Sequence, residues 1–134
     1  MTDTYPEVLA ISFQKGGTGK TFTSLNIAGG LAARGFNVLA IDLDPQGTLT
    51  ANLGKRDLYK DLDALSLDEI LLNPKNWDEV NELVLTDHKE FDIIPSNQTF
   101  NGNKTPLDSA DAGENRLGRL LQRLEDDYHY IVCD

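Results

Sequence analysis

Lys15, Gly16, Gly17, Thr18, Gly19, Lys20 and Thr21 follow one another directly, and their types in this order suit the binding of phosphate. The glycines let the backbone curl until several N–H groups point into one space, and such a nest attracts phosphate oxygens. The apolar run from Val8 to Phe13 predicts a buried strand just before the loop. Residues 20 to 34 predict a helix, with Gly35 as its stop. A helix beginning at Lys20 adds its positive end to the nest. In this strand, loop and helix setting, Lys20 is predicted to reach the β and γ phosphates of a nucleotide as a point charge. The Thr21 hydroxyl is predicted to ligate Mg2+.

A second group of reactive residues sits at the end of another apolar run. Residues 37 to 42 predict a buried strand, and Asp44, Pro45, Gln46 and Gly47 predict a turn. The strand would deliver Asp42 and Asp44 to its carboxyl end, where ligands bind in open α/β sheets. Alternation along the strand predicts that both carboxylates point to the same side. A third apolar run, residues 130 to 133, predicts a last buried strand and ends on Asp134.

The elements that must position these groups follow from the spacing. Strand, loop, helix and strand occupy about 35 residues, the length of a βαβ unit. Short helices are predicted over 48 to 53, 67 to 72 and 77 to 83. Residues 91 to 94 predict another strand, closed by Pro95, and residues 97 to 113 predict a loop. Leu117, Leu120, Leu121 and Leu124 recur at helical spacing, so residues 114 to 126 predict an amphipathic helix. Strands alternating with helices predict an α/β fold with a mostly parallel sheet, here that of a P-loop NTPase. Residues 1 to 134 are expected to be the N-terminal part of a single such domain, broken off after the Asp134 strand.

The motif departs from the usual phosphate loop in two ways. Gln14 stands where the first glycine would be, and Lys15 adds a second lysine. With those departures, residues 14 to 21 resemble the deviant phosphate loop of the ParA/Soj partition ATPases, within the group that includes MinD. Residues 38 to 47 resemble the second signature of that family, and residues 130 to 134 resemble its Walker B strand. Residues 91 to 96 are similar to the family strand that ends in proline and a small residue. The resemblance implies ATP and Mg2+ as ligands. It implies nucleotide contacts from Lys15 through Phe22, that is Lys15, Gly16, Gly17, Thr18, Gly19, Lys20, Thr21 and Phe22. It implies catalytic roles for Lys15, Lys20 and Asp44, with Lys15 crossing a dimer interface and Asp44 orienting the attacking water. It implies metal support from Thr21, Asp42 and Asp134. It implies an ATP-dependent homodimer, a ParB-like partner that stimulates hydrolysis, and nonspecific DNA as the track in a full-length form. The base-binding and DNA-binding residues are expected beyond residue 134.

Composition narrows the field. The chain has 134 residues and a net charge of −10, so on average it repels nucleic acid, and no local basic patch is evident. The acidity suits solubility, or a salt-rich cytoplasm. No run of 18 apolar residues predicts a membrane span, and the acidic N-terminus lacks the features of a signal peptide. One cysteine, Cys133, forms no internal disulfide and supplies no iron–sulfur cluster. A cytoplasmic location is expected, nucleoid-associated in the family. Cys133 and Trp77 are read as packing residues, and His88 and His129 as surface or strand-flank residues rather than metal ligands. Three other functions are weighed: a MinD-like positioning ATPase, a metabolic enzyme such as a cobyrinate amidase, and an inactive remnant. Gln14 and the Asp44 to Gly47 turn favour the ParA/Soj side.

Overall fold

A computed structural model describes residues 6–12, 19–103 and 113–134. Four strands, β1 (Glu7–Ala10), β2 (Val38–Ile41), β3 (Asp92–Ile94) and β4 (Tyr130–Cys133), form one parallel sheet in the order β1-β4-β2-β3. The helices are α1 (Lys20–Ala33), α2 (Thr48–Asn52), α3 (Arg56–Lys60), α4 (Leu67–Leu72), α5 (Val80–Leu83) and α6 (Gly113–Leu121). A 3-10 segment, Pro74–Glu79, joins α4 to α5. The mostly parallel sheet flanked by helices is the expected fold class.

The alternation of the central strands explains why both faces are covered. Leu39 and Ile41 of β2 pack with Ile94, Ile131 and Cys133 against α4, Trp77, Val80 and Leu120. Val38 and Ala40 point the other way, with Ile93 and Val132, against Ala28 of α1 and Leu49 of α2. Successive strand residues face opposite sides, so an apolar residue at every position of β2 needs a layer on each side. All four residues of β2 are buried. Trp77 and Cys133 are core residues as expected, and burial pushes the Cys133 thiol up to about 11.

Strand β1 differs from expectation. It was predicted buried, yet Val8 is 52% exposed and Glu7 and Ala10 are exposed too. Among the described residues β1 pairs with β4 alone, so one edge stays uncovered. Residues 13–18 lie outside the described residues, so the end of the predicted run is not part of the comparison.

The leucine helix is also shorter than its periodicity predicts. It ends at Leu121, and Arg123 N–H and Leu124 N–H then donate to carbonyls three residues back, at 2.9 and 3.2 Å. This tighter turn still carries Leu124 onto the core. Glu125, Asp126 and Asp127 are exposed beyond the helix. The segment predicted as a loop starts with structure: residues 100–103 are helical, and Phe100 is buried. Among the described residues, no helix is long and apolar enough to cross a membrane.

Candidate active site

Parallel pairing brings the carboxyl ends of the strands together. Asp42 N–H donates to Ile94 O at 3.0 Å, Leu43 N–H to Asp134 O at 2.9 Å, and Asp134 N–H to Ile41 O at 2.8 Å. The residues that follow β2, β3 and β4 are thereby stitched into one rim, and α1 begins beside it. Gly19, the residue before α1, has φ +79°, a left-handed conformation that glycine adopts without strain.

Four of the predicted residues meet at this rim. The Lys20 Nζ lies 3.5 Å from Asp44 Oδ2 and 3.9 Å from Asp134 Oδ2. The Thr21 hydroxyl donates to Asp134 Oδ2 at 2.9 Å. Asp134 is 5% exposed, so its charge is held by partners rather than by water. Ser24, one turn along α1, completes that set: its hydroxyl lies 2.6 Å from Asp134 Oδ1 and 3.1 Å from the Lys20 carbonyl. Sequence reading missed Ser24. Its position three residues after Thr21, on the same helix face, was the available signal.

Asp42 and Asp44 do not act alike. Strand β2 stops at Ile41, so strand alternation does not extend to Asp44, and the two carboxylates diverge. Asp44 is half-buried with Oδ2 toward Lys20, and its Oδ1 accepts from Gln46 N–H at 2.9 Å. Asp42 is fully buried under the turn. Its Oδ1 accepts from Asp44 N–H at 3.0 Å, and its Oδ2 accepts from Thr50 N–H at 2.9 Å and the Thr50 hydroxyl at 2.6 Å. Burial raises its carboxyl above the usual range, and the Thr50 and Asp44 hydrogen bonds pull it back.

Of the expected nucleotide contacts, Lys15, Gly16, Gly17 and Thr18 lie outside the described residues. Phe22 lies in the first turn of α1 and is 72% exposed. The oxygen donors at hand, the Thr21 hydroxyl and the Asp134 carboxylate, are hard ligands of the kind Mg2+ accepts directly or through water. With Lys20 beside them, they fit a magnesium–phosphate group.

Gly47 is fixed by its neighbours. Its φ is +66°, and a Cβ there would run into the Tyr59 ring. Gly47→Ala should therefore destabilise the protein by about 1–3 kcal/mol, from the left-handed backbone and the displaced ring together. A denaturant midpoint equal to that of the parent would show that the turn and Tyr59 relax freely.

The arrangement places a lysine and a hydroxyl at the head of α1 beside two carboxylates, a set that suits a phosphate and its cation. Residues 6–134 match the sequence model of a family described as AAA domain. The chain belongs to that family. It is 34% identical to the sporulation initiation inhibitor protein Soj of Bacillus subtilis, over 130 residues that are 96% of this chain and 49% of Soj. It is also similar to cobyrinic acid a,c-diamide synthase from Mycobacterium smegmatis, solved with ADP and magnesium and with an ATP analogue and magnesium. That similarity has a TM-score of 0.83 at 32% identity, covering 97% of this chain and 51% of the synthase. A plasmid partition protein from Borrelia burgdorferi gives a TM-score of 0.79 at 27% identity, over 98% of this chain and 56% of that one. The resemblance to ParA/Soj partition proteins, read from the loop and turn motifs, is thus met in sequence and in fold. The chain spans about half the length of the curated relatives it matches.

Proposed function

We propose that this chain binds Mg-ATP at the rim and is the nucleotide-binding part of a ParA/Soj-like partition ATPase. The observation that carries the reading is the convergence of Lys20, Thr21, Asp44 and Asp134 at the carboxyl ends of β2 and β4, beside the start of α1. Phosphoryl transfer needs little beyond positioning and charge neutralisation. Lys20 supplies a cation where the β and γ phosphates would lie. Thr21 and Asp134 would hold Mg2+, directly and through its water shell. The metal's chemical contribution is to spread the charge of the phosphates and fix their orientation. Asp44 is the more accessible of the two carboxylates near Lys20, which suits it to hold the attacking water.

Lys15 is proposed to reach the partner's nucleotide across an ATP-dependent homodimer. The γ phosphate then decides whether two protomers stay together. A ParB-like protein would stimulate hydrolysis, and nonspecific DNA would bind elsewhere in a longer form, because the charge of these residues is −10. Lys15→Ala should keep ATP binding but remain monomeric, with hydrolysis reduced on the order of 10³-fold if the lysine acts like an arginine finger. Sedimentation with ATP and Mg2+ tests this, and a nucleotide-dependent dimer of that variant would remove the cross-interface role.

The synthase neighbour favours a second reading, an ATP-dependent amidation of a corrinoid carboxylate. Phosphate release that depends on a corrinoid acid would select it. Release that proceeds with ATP and Mg2+ alone supports the partition reading.

A further inference from the structure

Around the Asp44 turn lies a set of buried side chains; the family resemblance implies metal support from Asp42 and no role for Thr50 or Ser96. Asp42, Thr50 and Ser96 are each at most 1% exposed, and they come from the end of β2, from α2 and from just after β3. The Thr50 hydroxyl donates to Asp42 Oδ2 at 2.6 Å and accepts from Ser96 N–H at 2.8 Å. The Ser96 hydroxyl in turn donates to the Asp44 carbonyl at 2.8 Å. Asp42 Oδ1 accepts from Asp44 N–H at 3.0 Å. Tyr59 of α3 donates its hydroxyl to the Pro45 carbonyl at 2.7 Å. The same Asp44 carbonyl also accepts from Gly47 N–H at 2.9 Å.

Three atoms of Asp44 are held in this way: its N–H by Asp42, its carbonyl by Ser96 and Gly47, and its Oδ1 by Gln46 N–H. The atom left over, Oδ2, faces Lys20. We propose that Asp42, Thr50, Ser96 and Tyr59 form a positioning clamp that fixes the Asp44 carboxylate for hydrolysis. Asp42 is then a buried anchor of the turn and not a support of the metal. The proposal rests on the ATPase reading of the same site.

Single hydrogen bonds of this kind contribute modestly, but here water cannot replace them. Removing the Thr50 hydroxyl leaves Ser96 N–H without its acceptor and takes a donor from a buried carboxylate, so the turn must shift. A displacement of about 1 Å at a water-positioning group can cost about 100-fold in rate. Binding of nucleotide uses Lys20 and Thr21, which the clamp does not touch.

The test compares Thr50→Val, Thr50→Ser and Ser96→Ala with the parent chain, reading kcat, nucleotide Kd and backbone amide exchange. Thr50→Val should lose about 10- to 100-fold in kcat. Its Kd should stay within about threefold of the parent. Thr50→Ser, which keeps the hydroxyl, should restore kcat. Exchange should quicken at Ser96 N–H and Asp44 N–H in Thr50→Val and return in Thr50→Ser. Ser96→Ala should reproduce the kcat loss through the Asp44 carbonyl alone. A parent-like kcat in Thr50→Val would overturn the proposal. So would equal losses in Thr50→Val and Thr50→Ser with weakened nucleotide binding, which describe a merely structural residue. If the parent turned over no ATP, the ATPase reading would fall separately. The exchange comparison would still decide the clamp: unchanged Ser96 and Asp44 amides in Thr50→Val would end it, and restored protection in Thr50→Ser would keep it.

Discussion

Lys20→Ala should weaken ATP binding severely, with a loss of affinity of at least about 30-fold. Lys20 is the first residue of α1, and its Nζ lies between Asp44 and Asp134, at 3.5 and 3.9 Å. In the described part of the site it is the cation near those carboxylates. A triphosphate arriving there without Lys20 would meet two carboxylates and little to offset them. Truncating one member of a close charge pair in a partly desolvated place costs about 2–5 kcal/mol, and about 1.4 kcal/mol is tenfold in affinity. Titration with a fluorescent ATP analogue and Mg2+, in low and in multimolar KCl, measures it. Unchanged affinity would remove the phosphate-site claim. Lys20 also neutralises buried Asp134, so far-ultraviolet circular dichroism of the variant separates lost binding from lost fold. A saturable signal in the parent that Lys20→Ala loses while staying folded is the expected pair of results. Stronger binding in multimolar KCl would favour the salt-rich reading of the acidity, since screening otherwise weakens contacts between charged partners.

How much of this was legible in the residue order depends on what each feature rests on. Strands β2 and β4 were plain because short apolar runs sit beside turn residues, and both faces of the sheet are indeed covered. The exposure of β1 was not legible, because an apolar run reads the same at a sheet edge as in its middle. That Lys20, Thr21, Asp44 and Asp134 come together was legible because phosphate chemistry, which predicted them, demands particular residue types at particular places. Asp42 illustrates the limit. Strand alternation predicts its carboxylate on the same side as that of Asp44, yet the strand ends one residue earlier, and its side chain turns under the loop toward Thr50. Thr50, Tyr59 and Ser96 carry no local signature. They approach the turn from α2, α3 and the end of β3, and only tertiary packing shows that they meet. The shortened leucine helix is a boundary effect: periodicity continues to Leu124, while the hydrogen-bond pattern changes after Leu121.

Asp44→Ala should keep ATP binding and lose turnover by about 10²- to 10⁴-fold, the usual contribution of a positioned acid–base group. The asymmetry between binding and turnover follows from where the contacts lie. Lys20 and Thr21 would meet the phosphates from α1, whereas Asp44 reaches the rim from the turn after β2. Removing Asp44 leaves Lys20 with Asp134 at 3.9 Å and takes one negative charge from the approach to the phosphates. Affinity for ATP should therefore stay level or rise. The water that attacks the γ phosphorus would lose the group that orients it. The bond between that phosphorus and the oxygen of the ADP leaving group would then break only at the residual rate. In a nucleotide-switched dimer the consequence is an ATP-bound dimer that does not come apart. Sedimentation and phosphate release, measured on the same sample, report both effects. Hydrolysis at the parental rate would show that the water is positioned elsewhere, and the clamp around Asp44 would then have no catalytic purpose. A fall in turnover accompanied by an equal fall in affinity would instead make Asp44 a binding residue, which its place opposite Lys20 does not predict.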